Sequence, residues 1–170
     1  DDILSNNYLE SLLIVSNRYS IGVADVKAFQ DNLSVLSNDY ISKSFHNNIN
    51  ISPTSVFLLR SFLSSSCAKL INKEIIKHRR FDHRFQVGED SLFMFSISDE
   101  IKEIRLTDTI YYRRKRLTSA SQTKRKNGEK IINAWTLIKA FSSIYFKNGF
   151  NYRFSLYLSR VVAVIISIFK

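Results

Sequence analysis

Proline occurs once in this chain, glycine four times, and cysteine once. So little proline and glycine excludes collagen-like repeats and flexible Gly-rich or Pro-rich linker architectures. The lone Cys67 excludes an intrachain disulfide, which favours a reducing, cytoplasmic compartment. No basic segment followed by an apolar run opens the chain, so no signal peptide is legible. The abrupt start at Asp1-Asp2, without methionine, leads us to expect further sequence upstream. Internal repeats are also missing.

What is present fits a folded domain. The chain has 170 residues, of which 45% are hydrophobic, enough to bury a core. The formal net charge of +10 suggests an anionic partner: a phosphorylated small molecule, nucleic acid or an acidic membrane surface. Charge alone does not choose among them.

Periodicity supplies the elements. Ser5 can cap a helix that places Tyr8, Leu9, Leu12 and Leu13 on one face. A strand is expected over residues 21–26 and a polar loop, rich in Asn and Ser, over 36–53. Residues 56–63 read as helix, 68–77 as a short helix or an extended segment, and 85–87 as a strand ended by Gly88. A buried helix follows Asp90, then a strand over 104–112 and a basic linker over 113–130. Residues 130–146 predict an amphipathic helix with Ile131, Trp135, Ile138 and Tyr145 along its buried stripe. After Gly149, residues 152–169 predict a second, more apolar helix. Its run is too short to span a membrane but suits an interfacial position with cationic flanks. Packing against the preceding helix explains it equally well.

Three features can carry chemistry. Gly88-Glu89-Asp90 puts two carboxylates at the start of an apolar helix, where they suit either capping and dipole matching or a general base at a pocket mouth. Tyr111-Tyr112-Arg113-Arg114-Lys115-Arg116, followed by Ser119, offers guanidinium forks and hydroxyls to phosphate oxygens. The same run suits a solvated basic loop or a nucleic-acid contact, although no nucleic-acid-binding motif accompanies it. Asp1-Asp2 offers hard oxygen ligands to a divalent cation. Cys67, among serines, reads as a small buried residue, and Trp135 as helix core.

The order of these features adds to their meaning. The acidic pair precedes Cys67-Ala68-Lys69-Leu70 and Phe81-Asp82-His83-Arg84-Phe85. Gly88-Glu89-Asp90 with Phe93 comes next, and the tyrosine-arginine-serine run comes last. Over residues 1–130 this resembles family 2 glycosyltransferases of the GT-A fold. Those enzymes carry a D-x-D-D motif, a K-L segment, an F-D-x-x-F approach to G-E-D-x-x-F, and a Y-Y-x-R-x-x-x-S-x-S stretch.

The resemblance implies an α/β fold: the second half of a GT-A sheet with flanking helices over 1–127, then two C-terminal helices over 128–170. It implies inverting transfer of a sugar from a nucleotide-diphosphate donor to a saccharide or lipid-linked acceptor, in surface polysaccharide synthesis. Asp90 matches the catalytic base, and Glu89 and Lys69 fall at acceptor-binding positions. Arg113, Arg114, Arg116 and Ser119 lie where the donor diphosphate is contacted. Asp1 and Asp2 match metal-holding aspartates for Mn2+ or Mg2+. The donor-binding strands that precede D-x-D-D in the family have no counterpart here, so the chain is expected to be a piece of a larger enzyme. The competing class is a non-enzymatic basic module for nucleic acid or an anionic membrane.

Overall fold

A computed structural model describes residues 2–30, 36–38, 40–49, 56–115, 127–148 and 151–169. Its centre is a strand pair. β2 (Ser20–Phe29) and β5 (Glu103–Arg114) run parallel, with Ile21 opposite Ile104 and Val26 opposite Tyr111. Nearly every residue of β2 is buried, as expected for a central strand covered on both faces. β1 (Ile3–Leu4) joins the free edge of β5 antiparallel. β3 (Ser37–Asn38) and β4 (Lys69–Leu70) pair antiparallel with β2, giving a mixed sheet. The chain is therefore α/β among its described residues.

Helices cover this sheet. α1 (Tyr8–Val15) buries Tyr8 and Leu12 while Leu9 and Leu13 face outward, so half of the expected stripe is core. Ser5 does not cap it: Asn7 holds the N-cap position without a side-chain cap bond. The Ser5 hydroxyl instead meets Thr109 Oγ1 at 2.5 Å. Thr109 is available because the register between β2 and β5 slips after Ala24, which gives β5 the extra residues Asp108 and Thr109.

Residues expected as polar loop contain α2 (Tyr40–Asn48), which buries Ile41 and Phe45 one helical turn apart. Segment 56–63 is a run of turns leading into a 3-10 helix, Arg60–Ser64, with Phe62 and Leu63 buried. Segment 68–77 holds both alternatives, β4 and then α3 (Lys73–Ile76), whose first turn is capped by Asn72 Oδ1 accepting from the Glu74 amide. Residues 85–87 form no strand, and Phe85 is simply buried in the core.

α4 (Glu89–Ser96) is buried along Leu92, Phe93, Met94 and Phe95. α5 (Asn127–Lys147) is helical as expected, but its buried positions are Ala134, Leu137 and Phe141. Trp135 is 61% exposed and Ile131 44%, because the stripe facing α4 and the core lies on another side of the helix. α6 (Phe154–Ile168) packs on α5 through a stack of Tyr145 on Tyr157, 4.6 Å between ring centroids. Leu137 and Phe141 of α5 and Leu156 of α6 join the same core cluster as β2 and α4. Leu158, Val162, Ile165 and Ile166 of α6 stay exposed. Among the described residues no helix is long and apolar enough to cross a membrane.

Candidate functional site

The site is assembled from a strained turn, a helix start and the end of β5. Ala68 sits in the left-handed region at φ 58°, a conformation that costs a Cβ-bearing residue roughly 1–2 kcal/mol. Its carbonyl accepts from the Ala24 amide at 2.9 Å, so pairing with β2 holds the strained residue in place. Strain of this kind concentrates at functional sites. Here it swings the chain between Cys67 and Lys69, with Ser66 just before it.

Opposite this turn stands the start of α4. Gly88 is the N-cap residue at φ 91°, and an added Cβ would lie 2.6 Å from Leu137 Cδ1. The positive φ favours glycine, and any larger residue would also have to displace the end of the Leu137 side chain. Glu89 and Asp90 occupy the first turn, where the exposed amides favour carboxylates. Asp90 is not the cap. Its Oδ1 accepts a hydrogen bond from the Ser66 hydroxyl at 2.5 Å, which points the carboxylate toward the turn before β4.

Lys69 completes this half. Its ammonium donates to the Cys67 carbonyl at 2.9 Å. Burial lowers its pKa to about 8, although the nearby Cys67 and Asp90 favour the charged form. Lys69 thus releases its proton more readily than an ordinary lysine.

The other half is aromatic and acidic. Tyr111 donates its hydroxyl to Asp2 Oδ2 at 2.6 Å, and the Arg114 amide donates to Asp2 Oδ1 at 2.8 Å. Burial, reinforced by this Asp2 bond, raises the Tyr111 pKa above the ordinary phenol range. Tyr8 stands with its ring centroid 6.1 Å from that of Tyr111, and burial pushes its pKa up to about 12. Cys67 lies in the turn itself, between Ser66 and the strained Ala68. It is half-buried rather than fully buried, and its thiol lies 3.0 Å from Ser65 Oγ.

The two described arginines of the basic run diverge. The Arg114 guanidinium sits over the Phe29 ring at 5.1 Å. Strand alternation puts Arg113 on the opposite face, the face of Tyr111. Asp1, Arg116 and Ser119 lie outside the described residues. Both Asp2 carboxylate oxygens accept a hydrogen bond, one each from Tyr111 and Arg114, and each keeps a further lone pair. Among the described residues no group of three or more Asp, Glu, His or Cys side chains gathers around one point.

No protein-family model, curated protein or solved structure matches this chain.

Its residues must therefore speak through geometry. Sequence reasoning marked Asp90, Glu89, Lys69, Asp2 and Arg113; the fold joins the turn to Asp90 through Ser66 and, separately, the end of β5 to Asp2 through Tyr111 and Arg114. It missed Ser66, Tyr8 and the tyrosine hydroxyl of Tyr111 as members. Ser66 carries no signal among four consecutive Ser and Cys residues, and Tyr8 reads only as helix core. A further link was legible only in part. Phe81 of the F-D-x-x-F segment stacks on Phe93 of the G-E-D-x-x-F segment, centroids 4.1 Å apart, with Phe81 47% exposed. Beside it, Asp82 pairs with Arg84 at 2.6 Å; that hydrogen bond lowers the Asp82 pKa to about 2.

Proposed function

We propose that this chain forms the acceptor side of an inverting GT-A glycosyltransferase, with Asp90 as the general base. One observation carries the reading: a carboxylate at a helix start is oriented by the Ser66 hydroxyl of the turn that leads into β4, with the Lys69 ammonium on that same turn. An acceptor hydroxyl is a poor nucleophile at neutral pH, and a fixed carboxylate can take its proton as the new glycosidic bond forms. Ser66 keeps that carboxylate from rotating. Lys69 and Glu89 would hold acceptor hydroxyls, and the exposed Phe81 ring offers an apolar face for a sugar.

In this reading Arg113 receives the donor diphosphate with a bidentate fork. Asp2, with Asp1, would hold a divalent cation. The cation supplies charge neutralisation for the leaving diphosphate. The nucleotide-diphosphate sugar and a saccharide or lipid-linked acceptor are the expected partners, in a cytoplasmic enzyme that touches the membrane peripherally through residues 152–169.

The test is transfer of labelled sugar from uridine, guanosine and thymidine diphosphate sugars, with Mn2+, by the enzyme that carries this chain. Turnover that disappears in Asp90→Asn is expected. Absence of turnover with every donor, together with tight salt-sensitive binding to DNA and heparin, would reverse the reading in favour of a basic binding module.

A further inference from the structure

A second constellation lies away from Asp90, between α2, the 3-10 helix Arg60–Ser64 and α6. Here a cavity of about 360 Å³ is lined by Ser44, Asn48, Arg60, Ser61, Ser159 and Arg160. Among the described residues its lining includes Arg60 and Arg160 and no carboxylate. Arg160 is 7% exposed, although it sits on a helix whose neighbouring positions are apolar. One of its terminal nitrogens donates to the Arg60 carbonyl, and the other stands 3.5 Å from Ser91 Oγ. Among the described residues its Nε is buried with no hydrogen-bond partner, and none of the described ion pairs includes Arg60 or Arg160.

An unpaired buried cation is among the most unfavourable groups a fold can hold. A second cation beside it worsens the situation. Burial, and then repulsion from Arg60, lower the Arg160 pKa to about 10, and Tyr40 opposes this only in part. The arrangement makes physical sense when an anion completes it. We propose that this cavity is a binding site for a phosphoryl group, separate from the Asp90 site and independent of the glycosyl-transfer reading.

The ligand class follows from the donors. The Arg60 guanidinium lies over the Phe57 ring and donates once, to the Phe57 carbonyl, and that of Arg160 contacts the Arg60 carbonyl and Ser91, so each keeps further N–H donors; two cations match a doubly charged, multi-oxygen anion better than a single carboxylate. The Ser44 and Ser61 hydroxyls and the second amide hydrogen of Asn48 can supply neutral donors around the remaining oxygens, while Ser159 already donates to the Leu156 carbonyl. The phosphoryl group can belong to a free phosphate ester or to a lipid headgroup. The second source is relevant because Val162 and Ile166, on the same helix, present exposed apolar side chains.

Two measurements on the 170-residue chain separate the sources. One is calorimetric titration with inorganic phosphate. The other is flotation with phosphatidylcholine vesicles, with and without phosphatidic acid. The variants are Arg60→Gln, Arg160→Met and, as a charge-matched control on the exposed α3, Lys73→Gln. Saturable binding of inorganic phosphate is expected if the ligand is free, and flotation dependent on phosphatidic acid if it is lipid-borne. In either case Arg60→Gln should weaken binding by about tenfold or more, the effect of one lost charge-assisted hydrogen bond, while Lys73→Gln leaves it unchanged. Arg160→Met should abolish binding without lowering the melting temperature, since it replaces an unpaired buried charge by an apolar chain. If Arg160→Met does not fold, Arg60→Gln decides. Binding in neither arm, undiminished binding by Arg60→Gln, or equal loss in Lys73→Gln would overturn the proposal.

Discussion

Ser66 donates its hydroxyl to Asp90 Oδ1 across 2.5 Å, joining two segments 24 residues apart in sequence. The bond bears on one of the roles the sequence left open for Asp90, that of a helix cap. A capping carboxylate would turn back to its own helix amides. This one is turned outward, and Gly88 takes the cap position instead.

Asp90→Asn should therefore lower turnover by roughly 10²–10⁴-fold with little change in thermal stability. Asparagine keeps the size of the side chain and can still accept from Ser66, so only the base is removed. Initial rates measured beside a melting curve check this. Retention of more than about a tenth of wild-type turnover would remove Asp90 from the catalytic role.

The basic run at the end of β5 should act asymmetrically. Arg113→Lys loses a bidentate fork on the face of Tyr111, and the KM for the nucleotide-diphosphate sugar should rise about tenfold or more. Arg114→Lys should change it much less, because its guanidinium already rests on Phe29. Equal effects in the two variants would sink the assignment of Arg113.

Gly88→Ala should destabilise the fold by about 1–2 kcal/mol from its left-handed backbone alone, with more from the approach to Leu137. In a double-mutant cycle, Leu137→Ala should relieve the second part only. The double variant is then less destabilised than the sum of the single ones, yet worse than Leu137→Ala alone. Urea unfolding of the four proteins measures this.

Lys69 sets a pH dependence of stability. Its folded pKa is lowered to about 8 from 10.5. Between these values the unfolded chain binds the proton that the folded chain has released. Stability therefore rises with pH from about 8 toward 10 on account of this group. Above the ordinary phenol pKa of 10.0 the raised Tyr8 works in the opposite direction, so the gain is confined to a window below that value. Lys69→Met should remove the rise. Denaturation midpoints at intervals from pH 7.5 to 10 would show an unchanged slope if Lys69 were not responsible.

Residues 103–114 show how much was legible. Strand formers from Ile104 to Tyr112 predicted β5, and the structure extends it to Arg114. The extension matters because it turns two members of the expected basic linker into strand residues with opposite faces. α2 was hidden for a different reason. Ile41 and Phe45 have helical spacing, but the surrounding Asn and Ser favour turns when judged locally. Burying that pair against the core outweighs the local preference. On α5 the apolar residues surround much of the helix, so periodicity alone could not select the face that meets Leu137's neighbours rather than the face of Trp135.

The sequence by itself determined that the chain is α/β, strongly basic and without an intrachain disulfide. It also marked Asp90, Lys69, Asp2 and Arg113 as the residues with chemistry to offer. Charge and cysteine count depend on residue type alone, whereas the fold class and the choice of those residues were what the resemblance to family 2 glycosyltransferases implied. Tertiary structure alone decided that Ser66 reaches Asp90, that Tyr111 reaches Asp2, and that Arg160 is buried beside Arg60 with no counter-charge among the described residues. Such contacts join residues from 24 to 109 positions apart. Local propensity acts within a few residues. Partners at these separations are set by the sheet register and by burial of the helices on it, so only the folded chain could reveal them.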